Sequence, residues 1–422
     1  MKILIVSPYL PYPLDEGGKI RIFNLMTNLS KAGHTIDFIS LIYSESENKY
    51  VDIMKLYCRC VKVIRHSPPP RSSNLISKTT RALFALPDLI TKRYNIEMMN
   101  IIDEQLNQNA YDIINIEQLY CTQYFLNKNL NNIILSEHNI ESEIFQRYVN
   151  TKDATKDLQI SKWWLRNRLE VEKLKFYEKR VWKTFKHIAV VSERDKKYIE
   201  KILPETQIEI ITNGVDLSDF NKSYKLEPGD KYFDLFGGFQ NDFKLVYTGS
   251  FTHYPNTDAV IYFYHNIFLE LKKKIPNIKF FVVGKNPYPD LIKLNEDKDV
   301  IVTGYVDDVR PYIYFSDVFI TPLRIGGGSR LKILQAMGMA KCVVSTSVGA
   351  EGIDCENNKN VIIADTESQW FDSLMKLNAD KILNASIGEN SYNLVKSKYG
   401  WDSISSKLIL FYENLLKNDF KK

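Results

Sequence analysis

Short apolar segments alternate with helical segments along nearly the whole chain, and this alternation limits the folds that are available to it. The first apolar segment covers residues 3–6, and the loop after it leads into a helix predicted over residues 19–32. Further strands of the first half are predicted at residues 35–40, 60–64, 113–116, 132–136, 188–191 and 208–211. Because strands that alternate with helices favour a parallel sheet covered on both faces, we expect a doubly wound α/β domain.

The same pattern begins again at Lys244. The run from Lys244 to Ser250 resembles the run from Lys2 to Ser7, since each is a short apolar strand that leads into a loop and a helix. Further strands of the second half are predicted at residues 279–283, 300–303, 318–322, 342–345 and 360–363. The sequence therefore predicts two Rossmann-like domains in tandem, whose strand-end loops open onto a central cleft.

The domain boundaries are predicted from composition. Residues 221–243 are polar and contain two Pro or Gly pairs, so this stretch is predicted to be a linker. The N-terminal domain is then expected at residues 1–220 and the C-terminal domain at 244–399. The last helix, within residues 400–422, carries a stripe of apolar side chains and is expected to cross back to the first domain.

Composition excludes several classes of protein. The 422 residues are 44% hydrophobic and 25% charged, which is typical of a soluble globular protein. No apolar run approaches the ~20 residues of a membrane span, and Met1 leads directly into a strand, so we expect a cytoplasmic protein. A net charge of +5 gives no reason to expect a nucleic-acid partner. The five cysteines are odd in number and scattered, which predicts reduced thiols and no metal site.

Three consecutive glycines, Gly326 to Gly328, separate an apolar strand from an amphipathic helix that Ser329 opens. Glycine lets the backbone approach a ligand closely, and the amides of a helix start favour an anion. Arg330 and Lys332 add two cations within the first turn. The unit is therefore predicted to bind a phosphate group.

Two common phosphate motifs do not fit this turn. A dinucleotide fingerprint requires a third glycine where this chain has Leu331, and a nucleoside-triphosphate loop requires a Lys-Ser or Lys-Thr pair that is absent. We therefore expect neither a nicotinamide dinucleotide nor a triphosphate held by a P-loop.

Several motifs of the second half together resemble those of glycosyltransferase family 4. They are Tyr247-Thr248-Gly249-Ser250, Pro255-Asn256, Val283-Gly284, Gly304 to Val309, Pro322-Leu323, Gly328 to Lys332, and Gly349-Ala350-Glu351-Gly352. The resemblance implies a glycosyltransferase-B fold and a retaining transferase that uses a nucleotide diphosphate-sugar. Pro255-Asn256 and the Arg-Leu-Lys helix start resemble a bacterial branch of the family that builds surface polysaccharides.

The resemblance also implies which residues hold the donor. Gly249, Ser250, Gly328 and Ser329 would contact the diphosphate, and Arg330 and Lys332 would stabilise the nucleotide as it departs. No metal and no cofactor are expected beside the nucleotide-sugar.

Two acids of the family pattern Glu-x7-Glu are missing from this chain, which has Gly327 and Gln335 at the two positions. At Gly327 the sugar would meet backbone amides, and at Gln335 an amide side chain would meet the ribose. Glu351 is a further candidate at the donor site, and its alternative role is to cap the next turn.

Candidates on the acceptor side lie at strand ends of the first half. Glu117 stands where many relatives have a histidine, and a carboxylate there would orient an acceptor hydroxyl or stabilise positive charge on the sugar. His138 follows another strand, and Gly17 and Gly18 follow the first one. The alternatives are a solvated loop acid for Glu117, loop packing for His138, and a plain turn for the two glycines.

The expected partners are the nucleotide-sugar, a saccharide or lipid-linked saccharide acceptor, and the inner face of the plasma membrane. Residues 152–186 hold eleven Lys or Arg against five acids and include Trp163 and Trp164, and the apolar run 82–89 is flanked by basic residues. Such a mixture suits an anionic lipid surface, and the alternative is a solvated helix that covers its own domain. Two other functions stay open, namely a sugar-nucleotide epimerase of the same fold and a non-catalytic nucleotide- or carbohydrate-binding protein.

Overall fold

The computed structural model describes residues 1–66, 86–153, 162–227, 229–325 and 330–419. The chain divides into two compact units. The first consists of Met1–Thr212 together with Ser405–Lys422, and the second of Asn213–Ile404.

The first unit is built on a seven-stranded parallel sheet with the order β3-β2-β1-β4-β5-β6-β7. The strands are β1 Lys2–Ser7, β2 Thr35–Ile42, β3 Cys60–Arg65, β4 Ile113–Glu117, β5 Ile133–Ser136, β6 His187–Val190 and β7 Gln207–Ile210. The central strands β1, β4 and β5 are buried along almost their full length because helices cover both faces of the sheet.

The helices of the first unit connect these strands. They are Gly17–Lys31, Val51–Lys55, Asp88–Thr91, Ile96–Gln108, Glu141–Asp153, Lys162–Thr184 and Glu193–Ile202, with 3-10 turns at Glu45–Tyr50 and Leu119–Tyr124. Two of these helices, Glu141–Asp153 and Lys162–Thr184, lie between β5 and β6.

The second unit repeats the design with a six-stranded parallel sheet of order β10-β9-β8-β11-β12-β13. Its strands are β8 Phe243–Thr248, β9 Ile278–Val283, β10 Val300–Gly304, β11 Val318–Thr321, β12 Cys342–Ser345 and β13 Ile362–Ile363. Its helices are Lys231–Gly237, Tyr254–Phe263, Leu269–Lys274, Pro289–Ile292, Arg310–Phe315, Leu331–Gly338, Glu367–Ala379 and Lys381–Lys398, with a π-turn at Tyr264–Phe268 and a 3-10 turn at Lys293–Glu296. The predicted pair of doubly wound parallel domains is confirmed.

The last helix, Trp401–Asp419, begins in the second unit and continues in the first from Ser405 onwards. Its Leu408, Tyr412 and Leu415 are buried, and Ser405 accepts a hydrogen bond from the Asn28 amide at 3.2 Å. The apolar stripe that the sequence predicts therefore packs on the first unit.

The stretch predicted to be a linker, 221–243, lies inside the second unit. It contains the helix Lys231–Gly237, and Tyr232 and Phe236 are buried in the core of that unit. The Phe236 ring stacks on Phe315 with centroids 4.4 Å apart. Most of the polar residues of the stretch lie outside this short helix, which Tyr232 and Phe236 anchor in the core.

The strand orders place one switch point in each sheet. The chain runs outward from β1 through β2 to β3, then returns to β4 on the other side of β1, and β8 and β11 are related in the same way. Open parallel sheets bind ligands at the carboxyl ends of the strands beside such a point. No helix in the described ranges is long and apolar enough to cross a membrane.

Candidate active site

The loop after β8 and the helix after β11 meet at the switch point of the second sheet. Gly249 is the first residue after β8, and Lys332 lies in the first turn of the helix Leu331–Gly338. A Cβ atom added to Gly249 would lie 2.9 Å from the Lys332 Nζ. The structure therefore brings together two residues that the sequence predicts at the donor site.

The Lys332 ammonium is held by neutral oxygen atoms. Its Nζ donates to the Tyr247 hydroxyl at 2.9 Å and to the Asn256 Oδ1 at 3.0 Å. It also lies 4.1 Å from the centre of the Tyr247 ring. None of the ion pairs found in the described part of the chain includes Lys332, so its positive charge is not cancelled by a carboxylate there.

Two other titratable groups lie close to Lys332. Burial and the neighbouring Arg330 cation hold the pKa of Lys332 well below its ordinary value. His253 keeps part of its ring in solvent, yet its protein surroundings, Arg330 and Lys332 lower its pKa to about 4, so its ring is neutral near pH 7. A site that disfavours further positive charge in this way favours an anionic ligand.

The strand side of the glycine turn is fixed by an ion pair. Arg324 binds the Asp258 carboxylate through its Nε at 3.0 Å and its Nη2 at 2.5 Å, in the bidentate geometry that suits guanidinium and carboxylate. The predicted donor residues Gly327, Gly328 and Ser329 lie outside the described residues. On the helix side of the turn, the described residues begin again at Arg330.

The remaining donor candidates lie near the same edge of the sheet. The Ser250 hydroxyl and the Thr252 hydroxyl are 2.7 Å apart. Gln335 is three residues after Lys332 on the same helix, and Glu351 lies in the turn after β12. The predicted contacts of Gln335 and Glu351 with the donor stay predictions.

In the first unit, Glu117 and His138 form a buried pair at the carboxyl ends of β4 and β5. The His138 Nε2 lies 2.7 Å from the Glu117 Oε2, and the Asn115 amide donates to the Glu117 Oε1 at 2.6 Å. Only 2% of Glu117 and 8% of His138 is exposed. The alternative of a solvated loop acid at Glu117 is therefore wrong.

The contacts of His138 indicate which of its nitrogens carries the proton. Gln118 Nε2 lies 2.9 Å from the His138 Nδ1, and an amide nitrogen can only donate. The Nδ1 then accepts, and the Nε2 hydrogen points to Glu117. Burial lowers the pKa of His138 although Glu117 opposes that shift, so the ring is neutral near pH 7.

The same network reaches the loop after β1. Gln118, which has a positive φ of 65°, also donates to the Tyr9 hydroxyl. A Cβ atom on Gly18 would lie 2.0 Å from that hydroxyl oxygen, so a larger residue there would require the Tyr9 ring to move. The structure thus places Glu117 and His138 in one hydrogen-bonded cluster at the switch point of the first sheet, with Gly18 packed against it and Gly17 at the start of the first helix.

Several site residues were not predicted from the sequence. Arg21 is 1% exposed and donates to the Thr212 carbonyl at 2.8 Å, and Glu117 opposes the burial that lowers its pKa to about 10. The sequence does carry a signal for burial of this arginine, because it lies four residues before Leu25 and eight before Leu29, on the buried stripe of the helix. The others are Tyr9, Gln118, Tyr247, Asn256, Asp258 and Arg324.

Two family models match the chain. Residues 16–219 match the model described as Glycosyltransferase Family 4, and residues 242–380 match the model described as Glycosyl transferases group 1. The first match covers most of the first unit and ends at residue 219, just inside the second unit, and the second match lies within the second unit. The chain therefore belongs to the family 4 glycosyltransferases and has their two-domain glycosyltransferase-B fold.

Individual proteins are also similar to this chain. An uncharacterized 44.6 kDa protein in the cps region of Klebsiella pneumoniae is 23% identical, over 98% of this chain and 100% of that protein. The lipopolysaccharide 1,2-N-acetylglucosaminetransferase of Salmonella typhimurium is 24% identical, over 56% of this chain and 63% of that enzyme. The crystal structure of Anabaena HepE in complex with UDP-glucose has a TM-score of 0.66 at 13% identity and covers 98% of this chain and 99% of that one.

Proposed function

We propose that this glycosyltransferase is a retaining, metal-independent enzyme that moves a sugar from a nucleotide diphosphate-sugar to a saccharide or lipid-linked saccharide of a bacterial surface polysaccharide. The cps-region and lipopolysaccharide relatives support the acceptor class, and the UDP-glucose complex of a structural neighbour supports the donor class. The observation that carries the proposal is the pair of basic side chains, Arg330 and Lys332, at the switch point of the second sheet.

The donor site suits a diphosphate for an electrostatic reason. Lys332 and Arg330 stand at the start of a helix, where backbone amides add a partial positive charge. The ammonium has three N–H donors, and Tyr247 and Asn256 accept two of them. A phosphate oxygen is a natural acceptor for the third.

In the reaction, the bond between the sugar anomeric carbon and the donor phosphate oxygen breaks, and the electron pair leaves with the nucleotide. The acceptor oxygen forms the new glycosidic bond on the same face, and the acceptor proton is released. Arg330 and Lys332 stabilise the negative charge that develops on the departing diphosphate. These two side chains supply the charge that a divalent metal would otherwise supply.

The acceptor side is the cluster of Gly18, Glu117 and His138. Both oxygen atoms of Glu117 are engaged by neighbours, so the pair acts by holding Gln118 and Tyr9 in place toward the acceptor. Tyr9 is partly exposed at the edge of this cluster, and its hydroxyl, which accepts from Gln118, can still donate to a sugar hydroxyl.

A peripheral contact with anionic lipid completes the proposal. The helix Lys162–Thr184 presents Leu165, Leu169 and Phe176 to solvent, with exposed fractions of 62%, 39% and 75%. Their spacing of four and seven residues places them on one face of the helix. Exposed basic side chains flank this stripe, namely Arg168, Lys179, Arg180 and Lys183. Residues 82–85 of the predicted apolar run and the basic residues before it lie outside the described residues, and the side chain of Trp163 is likewise not described.

The donor half of the proposal is tested with the double variant Arg330→Ala, Lys332→Ala. Removing both cations is expected to weaken UDP binding, measured by calorimetry, by about a hundredfold, because each charge-assisted hydrogen bond contributes roughly 1.5–3 kcal/mol. A matched control is Lys293→Ala with Lys359→Ala, two exposed lysines of the same unit. Unchanged UDP affinity in the double variant would remove the phosphate role.

The activity is tested by incubating the protein with a panel of nucleotide sugars. Nucleotide release that increases with a saccharide acceptor, and an anomer of unchanged configuration in the product, supports the retaining transferase. Interconversion of two nucleotide sugars without release would indicate an epimerase, and binding without turnover would indicate a non-catalytic protein.

A further inference from the structure

We infer that Asn256 is a positioning residue that holds the Lys332 ammonium against the Gly249–Ser250 loop, in the orientation that receives a nucleoside diphosphate. The inference rests on the donor site proposed above. It assigns a role to a side chain that would touch no substrate and would act only through Lys332 and the loop.

The Asn256 amide connects three elements of the second unit. Its Oδ1 accepts from Lys332 Nζ at 3.0 Å, on the helix after β11, and from the Tyr247 hydroxyl at 2.6 Å, on β8. Its Nδ2 donates to the Ser250 carbonyl at 2.7 Å, in the loop after β8. One side chain thus fixes both the cation and the loop that are proposed to share the diphosphate.

The space around this amide is tight. Only 8% of Asn256 is exposed, and a Cβ atom on Gly249 would lie 3.1 Å from the Asn256 side chain. The ammonium therefore has little freedom to leave the amide. An ordered cation loses less conformational entropy when an anion binds, and this is the physical advantage of the arrangement.

A neutral amide suits this position better than an acid. An aspartate at 256 would pair with Lys332 and cancel the charge that the diphosphate needs, whereas the amide oxygen orients the ammonium and leaves its charge intact. The other charged or titratable groups around Lys332 are Arg330, His253 and Tyr247, and Asp258 is occupied by Arg324.

The test compares Asn256→Ala and Asn256→Asp with the wild type by UDP calorimetry from pH 6 to pH 10. Wild-type affinity is expected to fall as rising pH removes the Lys332 proton, whose pKa burial and Arg330 hold well below its ordinary value. Asn256→Ala removes an acceptor from the charged form, so it should weaken UDP binding about tenfold at neutral pH and move this fall to lower pH. Asn256→Asp should also weaken binding but move the fall to higher pH, because a carboxylate favours the protonated lysine.

Controls separate positioning from simple damage to the fold. Asn266→Ala removes an exposed amide from the following π-turn and should leave both the affinity and its pH profile unchanged. Tyr247→Phe removes the second acceptor of the ammonium and should shift the profile in the same direction as Asn256→Ala. Since the ionisation of UDP is common to all variants, only the protein contributes to differences between profiles.

The outcomes also distinguish this inference from the proposed function. If Lys332→Ala abolishes UDP binding while both Asn256 variants keep the wild-type affinity and profile, the positioning role is wrong and the donor site stands. If Lys332→Ala leaves UDP binding unchanged, the donor site itself is wrong. Opposite shifts for Asn256→Ala and Asn256→Asp would establish the positioning role, because general loosening of the fold moves both variants in one direction.

Discussion

Three acidic residues lie close together inside the first unit, next to the acceptor cluster. Glu178 accepts from the Ser142 backbone amide at 3.0 Å, and Glu137 accepts from the Trp182 indole at 3.1 Å. Burial raises the pKa of Glu178 to about 8, and burial and Glu178 raise that of Glu137 well above its ordinary value. Glu141 is the third member, and its pKa is also raised by burial.

We expect Glu178→Gln to stabilise the protein at alkaline pH. The folded state keeps the Glu178 proton up to about pH 8, whereas the unfolded chain releases it near the ordinary carboxyl pKa. Stability therefore falls as pH rises through that window and is level above it. The neutral glutamine avoids this loss, so urea unfolding should show little difference at pH 5 and a gain on the order of 4 kcal/mol at pH 9.

The control for that experiment is Glu172→Gln, an exposed acid of the same helix. It should give the same stability difference from the wild type at both pH values. A Glu178→Gln variant that is no more stable than the wild type at pH 9 would contradict a protonated carboxyl at this site.

Glu117→Gln is expected to slow transfer without affecting the donor. The glutamine must present either an oxygen or an amide to the His138 Nε2 hydrogen while Asn115 donates to the other atom, so one donor is left facing another donor. We expect kcat to fall by about tenfold or more, with UDP affinity unchanged. Glu104→Gln, at an exposed site, is the matched control, and a parallel loss of UDP affinity would show that the effect is not confined to the acceptor side.

The pair of Glu117 and His138 shows how far the sequence predicts a site at the scale of single residues. Both side chains were predicted as candidates because each follows a strand. Their contact depends on the register of β4 and β5, in which Glu117 lies opposite Ser136. The sequence carries no direct signal for that register, so the bond between the two side chains was not predicted.

Among the elements, the helix Lys162–Thr184 exposes three apolar side chains on a face that they share with basic side chains and with Glu172. Its opposite face is buried, with Val171, Leu174, Tyr177 and Val181 in the core of the first unit. The helix is therefore anchored independently of any lipid. A solvated helix that only covers its own domain would have a purely polar exposed face. The apolar stripe distinguishes this helix from one of that kind.

We expect the triple variant Leu165→Asn, Leu169→Asn, Phe176→Asn to lose binding to vesicles that contain anionic lipid. Burial of the three side chains in the interface contributes roughly 1–2 kcal/mol each, so co-sedimentation should fall by more than tenfold while the fold is retained. Leu56→Asn with Ile382→Asn, two exposed apolar residues elsewhere, should bind as the wild type does. Equal binding to neutral and anionic vesicles would contradict a role for the basic flanks.

Strands were predicted more successfully than other elements because a strand of a parallel sheet is a short, continuous apolar run. Each predicted strand appears in the structure, with ends that differ by one or two residues. The helix Lys231–Gly237 was missed because it is short, and its identity depends on the contact of Phe236 with Phe315, which no local pattern reveals.

At the scale of the whole molecule, the two units place their polar clusters at equivalent points of their sheets, beside β1 and β4 in one and beside β8 and β11 in the other. The alternation of strands and helices was sufficient to predict this doubled design. The division of the chain between Thr212 and Asn213 was not predicted, because the residues that follow it become part of the second unit through tertiary packing.

The last helix has a consequence for synthesis of the protein. Residues that complete the packing of the first unit, among them Ser405, Leu408 and Tyr412, leave the ribosome only after the entire second unit. While the intervening residues are translated, the nascent first unit therefore lacks the helix that covers part of its apolar surface. During that interval the uncovered apolar surface is accessible to chaperones and to proteases. The packing of this helix on the first unit ends that exposure late in synthesis.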